Sequence, residues 1–205
     1  MIPLVFATSN EHKLKEVRQL LPAQIEVIPL SATEWDGDIA ETEATLEGNA
    51  VLKARTIADA LEVHCFAEDT GLEVEALAGA PGVHSARYAG PDRDAQRNME
   101  KLLAALANAT DRRARFRTVV ALIIDEATYT FEGMVRGHIA HAPSGSGGFG
   151  YDPIFIPDGY DVSFGVLSDE VKNAISHRGH AIRQLVDFLT AYFKCKSPGS
   201  PPAQT

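Results

Sequence analysis

Two cysteines in 205 residues, Cys65 and Cys195, are too few for a disulfide framework, and neither stands in a CxxC or other metal-ligand spacing. They are read as reduced thiols. Long apolar runs are also missing. The start, MIPLVFATSNEHK, offers about six apolar residues with no basic stretch before them, too short for a signal peptide or a membrane span. No later run is long enough either, so the expected compartment is the cytoplasm. Positive charge is scarce: 19 Lys and Arg face 28 Asp and Glu, a formal net charge of -9. That balance opposes a groove tracking a long nucleic acid, but it leaves room for a local basic pocket that holds a small phosphorylated ligand. There is no G-x-x-x-x-G-K-[ST], which excludes a P-loop enzyme, and there are no internal repeats.

What is present suits a globular chain: 45% hydrophobic and 23% charged residues, enough for a sizeable core. The apolar run from 2 to 7 breaks at Thr8-Ser9-Asn10, after which Leu14, Val17 and Leu21 recur at helical spacing, giving strand, polar turn, helix. A strand is predicted over 25–30. Leu46, Ala50, Ala54, Ile57 and Leu61 mark one face of a second helix. The segment 64–67 reads as a buried strand ending at Glu68-Asp69. A helix is predicted over 93–106, a hairpin from 116–124 and 129–139 turning around 125–127, and a last helix through Ile182, Leu185, Val186, Leu189 and Phe193. This order predicts an α/β fold with a mixed sheet, in one domain over 1–196. The tail SPGSPPAQT has no apolar content and is expected to be disordered.

The stretch SGSGGFGYDPIF, residues 144–155, contains G-x-G-x-x-G. A dinucleotide fingerprint needs a helix directly after its glycines, whose N-terminus holds the pyrophosphate. Here Tyr151-Asp152-Pro153 and a strand-like Ile154-Phe155-Ile156 follow, so that reading fails. A loop presenting Phe149 suits stacking on a flat ring, with Asp152 near to accept ring N–H groups; a turn with Phe149 tucked into the core fits equally well. Thr8, Ser9 and Asn10 stand where a strand gives way to a helix, with Lys13 one turn on, so hydroxyls, backbone N–H groups and the positive helix end converge on one point. Plain N-capping beside a solvated lysine gives the same pattern. Asn49 and Lys53 share a helix face and offer a further phosphate contact or mere surface decoration. The adjacent carboxylates Glu68 and Asp69 suit either a Mg²⁺ site, with Glu41 upstream as another ligand, or a solvated turn.

TSNEHK (8–13), EGNAVLKAR (47–55), AEDTGLEV (67–74), GAPGVHSARYAG (79–90), GGFGYDPIF (147–155) and KNAISHRGHA (172–181) together closely resemble the inosine triphosphate pyrophosphatase family, in the family's order and up to about residue 193. The resemblance implies a long twisted mixed β-sheet flanked by helices, with two lobes around a central cleft, assembled as a homodimer. The implied activity is hydrolysis of non-standard purine nucleoside triphosphates (ITP, dITP, XTP) to monophosphate and pyrophosphate. It implies that Thr8, Ser9, Asn10, Glu11, His12, Lys13 and Lys53 hold the triphosphate, with Thr70 beside them. Glu41 and Asp69 would bind Mg²⁺, Glu68 would help fix its water shell, and Asp69 would be the general base. Phe149 would stack on the purine, with Gly150 and Tyr151 adjoining, while Asp152, Lys172, His177 and Arg178 surround its polar edges. The segment 162–166 departs from the family pattern, with Val166 where bacterial relatives often carry an acidic residue.

Overall fold

The computed structural model describes residues 2–196; the tail expected to be disordered, 197–205, lies outside the described residues. Strand β1 (Ile2–Phe6) runs parallel between β2 (Ile25–Pro29) and β3 (Cys65–Val74). Its Leu4, Val5 and Phe6 are all buried, as expected of a parallel strand covered on both faces. Helix α1 (Glu11–Leu20) starts where Asn10 Oδ1 accepts the backbone N–H groups of His12 and Lys13 at 3.0 and 3.2 Å. Helix α2 (Leu46–Leu61) is capped by Thr45 Oγ1, which accepts from Gly48 N at 3.0 Å.

β3 is longer than the sequence suggests. It does not stop at Glu68-Asp69 but runs on to Val74, pairing antiparallel with β5 (Arg113–Ile124) along its whole length. Two adjacent carboxylates in mid-strand look like a terminus only because their counter-charges come from distant parts of the chain. A two-residue strand, β4 (Pro81–Gly82), pairs with the far end of β3. Helix α3 (Ala95–Ala105) begins two residues later than expected: Arg93 adopts φ +53° and Asp94 Oδ1 caps the first turn. β5 and β6 (Ala127–Ile139) form the expected hairpin, turning through Asp125 and Glu126, both at positive φ. Turns of that kind match the right-handed twist of the paired strands. β7 (Phe155–Pro157) closes the order β2-β1-β3-β5-β6-β7, a mixed sheet as predicted. Helix α4 (Asp169–Ile175) was not anticipated, because seven residues are too few to show a helical period; α5 (His177–Lys196) follows it.

Three cores form around this sheet. On one face Leu4, Phe6, Phe66 and Leu122 pack against Leu14 and Val17 of α1 and Ile182, Leu185 and Leu189 of α5. Each such aliphatic side chain contributes about 1.5–3 kcal/mol on burial. On the other face Val5, Ala7, Ala67 and Ala121 meet Ala50, Ala54 and Ile57 of α2. The third core makes the second lobe, where Leu72, Val74 and Phe116 meet Met99 and Leu102 of α3 and Leu106 just past its end, together with Phe155 and Phe164. In the segment 162–166 Phe164 is fully buried there, while Val162 and Val166 are exposed. The cleft lies between the lobes.

Candidate active site

A cavity of about 840 Å³ occupies the cleft, a size that suits a nucleotide-sized ligand. Thr8, Ser9, Asn10, His12, Lys13, Glu41, Lys53, Asp69 and Thr70 line one part of it, and Phe149, Gly150, Tyr151, Asp152, Lys172, His177 and Arg178 another. Glu11 and Glu68 do not line it. Glu11 is exposed on α1, whereas Glu68 is buried behind the wall.

Strand alternation separates the two adjacent carboxylates. Asp69 shares the α2 face with Ala67, and Glu68 shares the α5 face with Phe66. Asp69 Oδ1 accepts Lys53 Nζ at 2.8 Å and Oδ2 accepts Asn49 Nδ2 at 3.3 Å. Asn49 and Lys53, which the sequence leaves open as surface decoration, are both buried. Lys53 Nζ also donates to Glu41 Oε1 at 2.9 Å, so one ammonium bridges two carboxylates. Burial disfavours this charge, but Asp69 and Glu41 outweigh it and hold the Lys53 pKa above its usual value. Burial raises Glu41 in turn, and Lys53, Arg93 and Lys13 together more than reverse that, leaving it below the usual carboxylate range.

Glu68, expected beside Asp69 at a metal, is taken up elsewhere. Its oxygens accept Arg178 Nε and Nη2, both at 2.7 Å, and Lys13 Nζ lies 3.1 Å from Oε1. These cations overcome the burial that would raise its pKa and hold it far below normal. In this arrangement Glu68 serves as the buried counter-ion of Arg178 and Lys13.

The other part of the cavity is built on Lys172, which donates to Asp152 Oδ2 at 2.6 Å and to Glu16 Oε1 at 2.5 Å. Asp152 Oδ2 also accepts Phe149 N at 2.6 Å, which folds the glycine-rich loop over the carboxylate. A Cβ on Gly148, at φ +68°, would stand 2.2 Å from that oxygen, so the loop depends on glycine there. Burial, only partly opposed by Lys172, raises the Asp152 pKa. The Phe149 ring is half-buried, with His12 stacked on it at 5.2 Å and Lys172 Nζ and Arg178 Cζ at 5.0 and 5.4 Å from its centroid. It is not tucked into the core. His177 is buried and stacked on Phe116 at 4.6 Å, its Nδ1 without a partner among the described residues. Burial first, then Arg178 and Lys172, push its pKa well below 6.5, so the ring is neutral.

Sequence reasoning missed two features. Glu16, on the edge of the α1 apolar stripe, accepts both Lys172 and Arg178, the latter at 2.5 Å; an acid three residues after Lys13 and beside Val17 was the available signal. Arg87 and Arg93 reach Glu41 from the loop before α3 and also line the cavity; the motif GAPGVHSARYAG around Arg87 was the available signal for it, and nothing local distinguished Arg93 from a surface arginine.

The model of the Ham1 family matches residues 4–188 of this chain. The dITP/XTP pyrophosphatase of Porphyromonas gingivalis is 53% identical over 190 residues, 92% of this chain and 98% of that protein. The dITP/XTP pyrophosphatase of Flavobacterium johnsoniae is 48% identical over 188 residues, with the same two coverages. Among solved structures, the Staphylococcus aureus Ham1 protein superposes with a TM-score of 0.84 at 43% identity, over 93% of this chain and 99% of that one. A HAM1 protein from Coxiella burnetii gives 0.85 at 41% identity, over 93% and 100%.

Proposed function

The chain belongs to the Ham1 family, and from that premise we propose that it hydrolyses non-standard purine nucleoside triphosphates, of the ITP, dITP and XTP kind, to monophosphate and pyrophosphate. The observation that supports this most is the joining, in one cavity, of two carboxylates that share a cation with an aromatic ring flanked by cations. The first suits phosphoanhydride cleavage and the second a purine.

A divalent cation fits the residues present. Glu41 and Asp69 already converge on a single positive charge, and among the described residues no group of three or more His, Cys, Asp or Glu makes a ready cage. Two carboxylates completed by water and phosphate oxygens are how Mg²⁺ is usually held. When bound it would offset charge on the departing pyrophosphate and acidify water.

The chain's own residues supply the rest. Asp69, oriented by Asn49 and Lys53, takes the proton of the attacking water. Lys13 and Lys53 neutralise phosphate oxygens as point charges, and Thr8, Ser9 and Asn10, which line the cavity at the α1 N-terminus, add polar contacts to the phosphates. The purine lies on Phe149. Arg178 has five N–H groups, four of them committed to Glu68, Glu16 and Thr70. Its remaining donor and neutral His177 favour an oxygen at purine position 6 over the amino group of adenine. A mismatch there costs on the order of 1–3 kcal/mol, roughly 5- to 150-fold discrimination.

No helix among the described residues is long and apolar enough to cross a membrane; a cytoplasmic homodimer acting on the nucleotide pool is the setting we propose. The test is purified protein with Mg²⁺ and a panel of ITP, dITP, XTP, ATP and GTP, with monophosphate and pyrophosphate both assayed. Asp69→Asn is expected to abolish turnover while nucleotide binding stays measurable by calorimetry. Near-normal turnover in that variant, or release of orthophosphate in place of pyrophosphate, would remove this mechanism.

A further inference from the structure

No residue of the motif GAPGVHSARYAG has a role in the mechanism above, yet it delivers Arg87 to the cavity wall. Its turn is held firmly: Tyr151 Oη donates to Ser85 O at 2.8 Å, while Ser85 Oγ accepts Leu72 N at 2.9 Å and donates to Gly82 O at 2.6 Å. Arg87 Nη1 then donates to Glu41 Oε2 at 3.1 Å and Nη2 to Glu41 O at 3.3 Å. Arg93 Nη2 reaches the same Oε2 at 3.3 Å, from a backbone pinned between its left-handed φ and the Asp94 cap of α3.

Glu41 therefore faces three cations, Lys53, Arg87 and Arg93, and among the described residues the one other carboxylate paired with these cations is Asp69. One carboxylate needs one counter-ion. The surplus is positive, and it is accessible: the Arg87 and Arg93 side chains are 30% and 57% exposed, against 8% for Lys53. The base-side cations Lys172 and Arg178 have no such surplus, each being shared between two carboxylates. A divalent ion taken by Glu41 and Asp69 would loosen all three cations from Glu41 at once. Guanidinium groups freed beside phosphates bind them bidentately, which an ammonium cannot do.

We propose that Arg87 and Arg93 form the subsite for the two outer phosphates, gripping the pyrophosphate half of the substrate and so selecting nucleoside triphosphates over diphosphates. This rests on the pyrophosphatase reading, but it concerns a part of the ligand that carries no base.

The test compares the full-length protein with Arg87→Gln, Arg93→Gln and the double variant, using inorganic pyrophosphate, IMP and Mg²⁺ as separate calorimetric probes, and ITP against IDP as substrates. The double variant is expected to bind pyrophosphate, with Mg²⁺ present, on the order of 10- to 100-fold more weakly. Its ITP-over-IDP preference in kcat/KM should shrink by a similar factor, with IMP affinity unchanged. Mg²⁺ alone should bind as well or better, because two competitors for Glu41 are gone. Unchanged pyrophosphate affinity overturns the proposal. So does equal weakening for ITP, IDP and IMP, or weaker binding of Mg²⁺ alone, since either would make the arginines a brace for Glu41. The pyrophosphate arm needs no turnover, so it judges the subsite even if purine triphosphates prove not to be the substrates.

Discussion

Replacing Glu16 by glutamine perturbs the buried network behind the base-side wall. There three carboxylates, Glu16, Glu68 and Asp152, balance three cations, Lys13, Lys172 and Arg178. Glutamine keeps one acceptor oxygen but turns an amide NH₂ toward a cation, leaving one positive charge uncompensated in a buried site. Removing one partner of a buried pair costs about 3–5 kcal/mol. Lys172 keeps Asp152 and Arg178 keeps Glu68, which places the expected cost near the lower end, about 3 kcal/mol. For a protein of this size each kcal/mol lowers Tm by about 2–4 °C, so calorimetry should show a fall of roughly 6–12 °C. Glu16→Gln with Lys172→Met restores balance at two against two, and the double variant should be more stable than the sum of the single effects by about 2 kcal/mol. KM for ITP should rise more than kcat falls, because Glu16 positions groups on the base side. A Tm loss under about 2 °C together with strict additivity would refute the electrostatic account of this cluster.

His177 should make stability depend on pH. Its folded pKa lies well below the unfolded 6.5, so the unfolded chain takes up a proton that the folded one refuses; stability is complete above pH 6.5 and falls as pH drops below it. Urea titrations at pH 7.5 and 5.5 should differ by about 1.4 kcal/mol from this group, a difference that His177→Asn removes; an equal pH response in the variant would contradict its neutrality. Gly133→Ala should destabilise strongly, by more than about 3 kcal/mol, because a Cβ there would stand 2.0 Å from His177 O at the start of α5. Activity should fall with it, since α5 carries Arg178, and wild-type thermal stability in this variant would show the contact to be looser. Phe149→Ala should raise KM for ITP by the equivalent of about 1–3 kcal/mol at nearly unchanged Tm; an unaltered KM would return the ring to a structural role.

Sequence alone determined the features whose causes are local. Asn10 caps α1 within three residues of its targets, the α2 stripe repeats at helical spacing, and the turn at 125–126 sits between two β-rich runs. The rest was decided by the tertiary structure, because its causes lie far apart along the chain. β3 continues through Glu68 and Asp69 only because Lys53, 16 residues away, and Arg178, 110 residues away, bring charge to opposite faces of one strand. Strand alternation then gives two neighbouring acids different fates, Asp69 into the cavity and Glu68 into the wall. The surplus of cations on Glu41 has the same origin: Arg87 and Arg93 stand 46 and 52 residues from it, and a charge balance of that kind exists only once the cleft has formed.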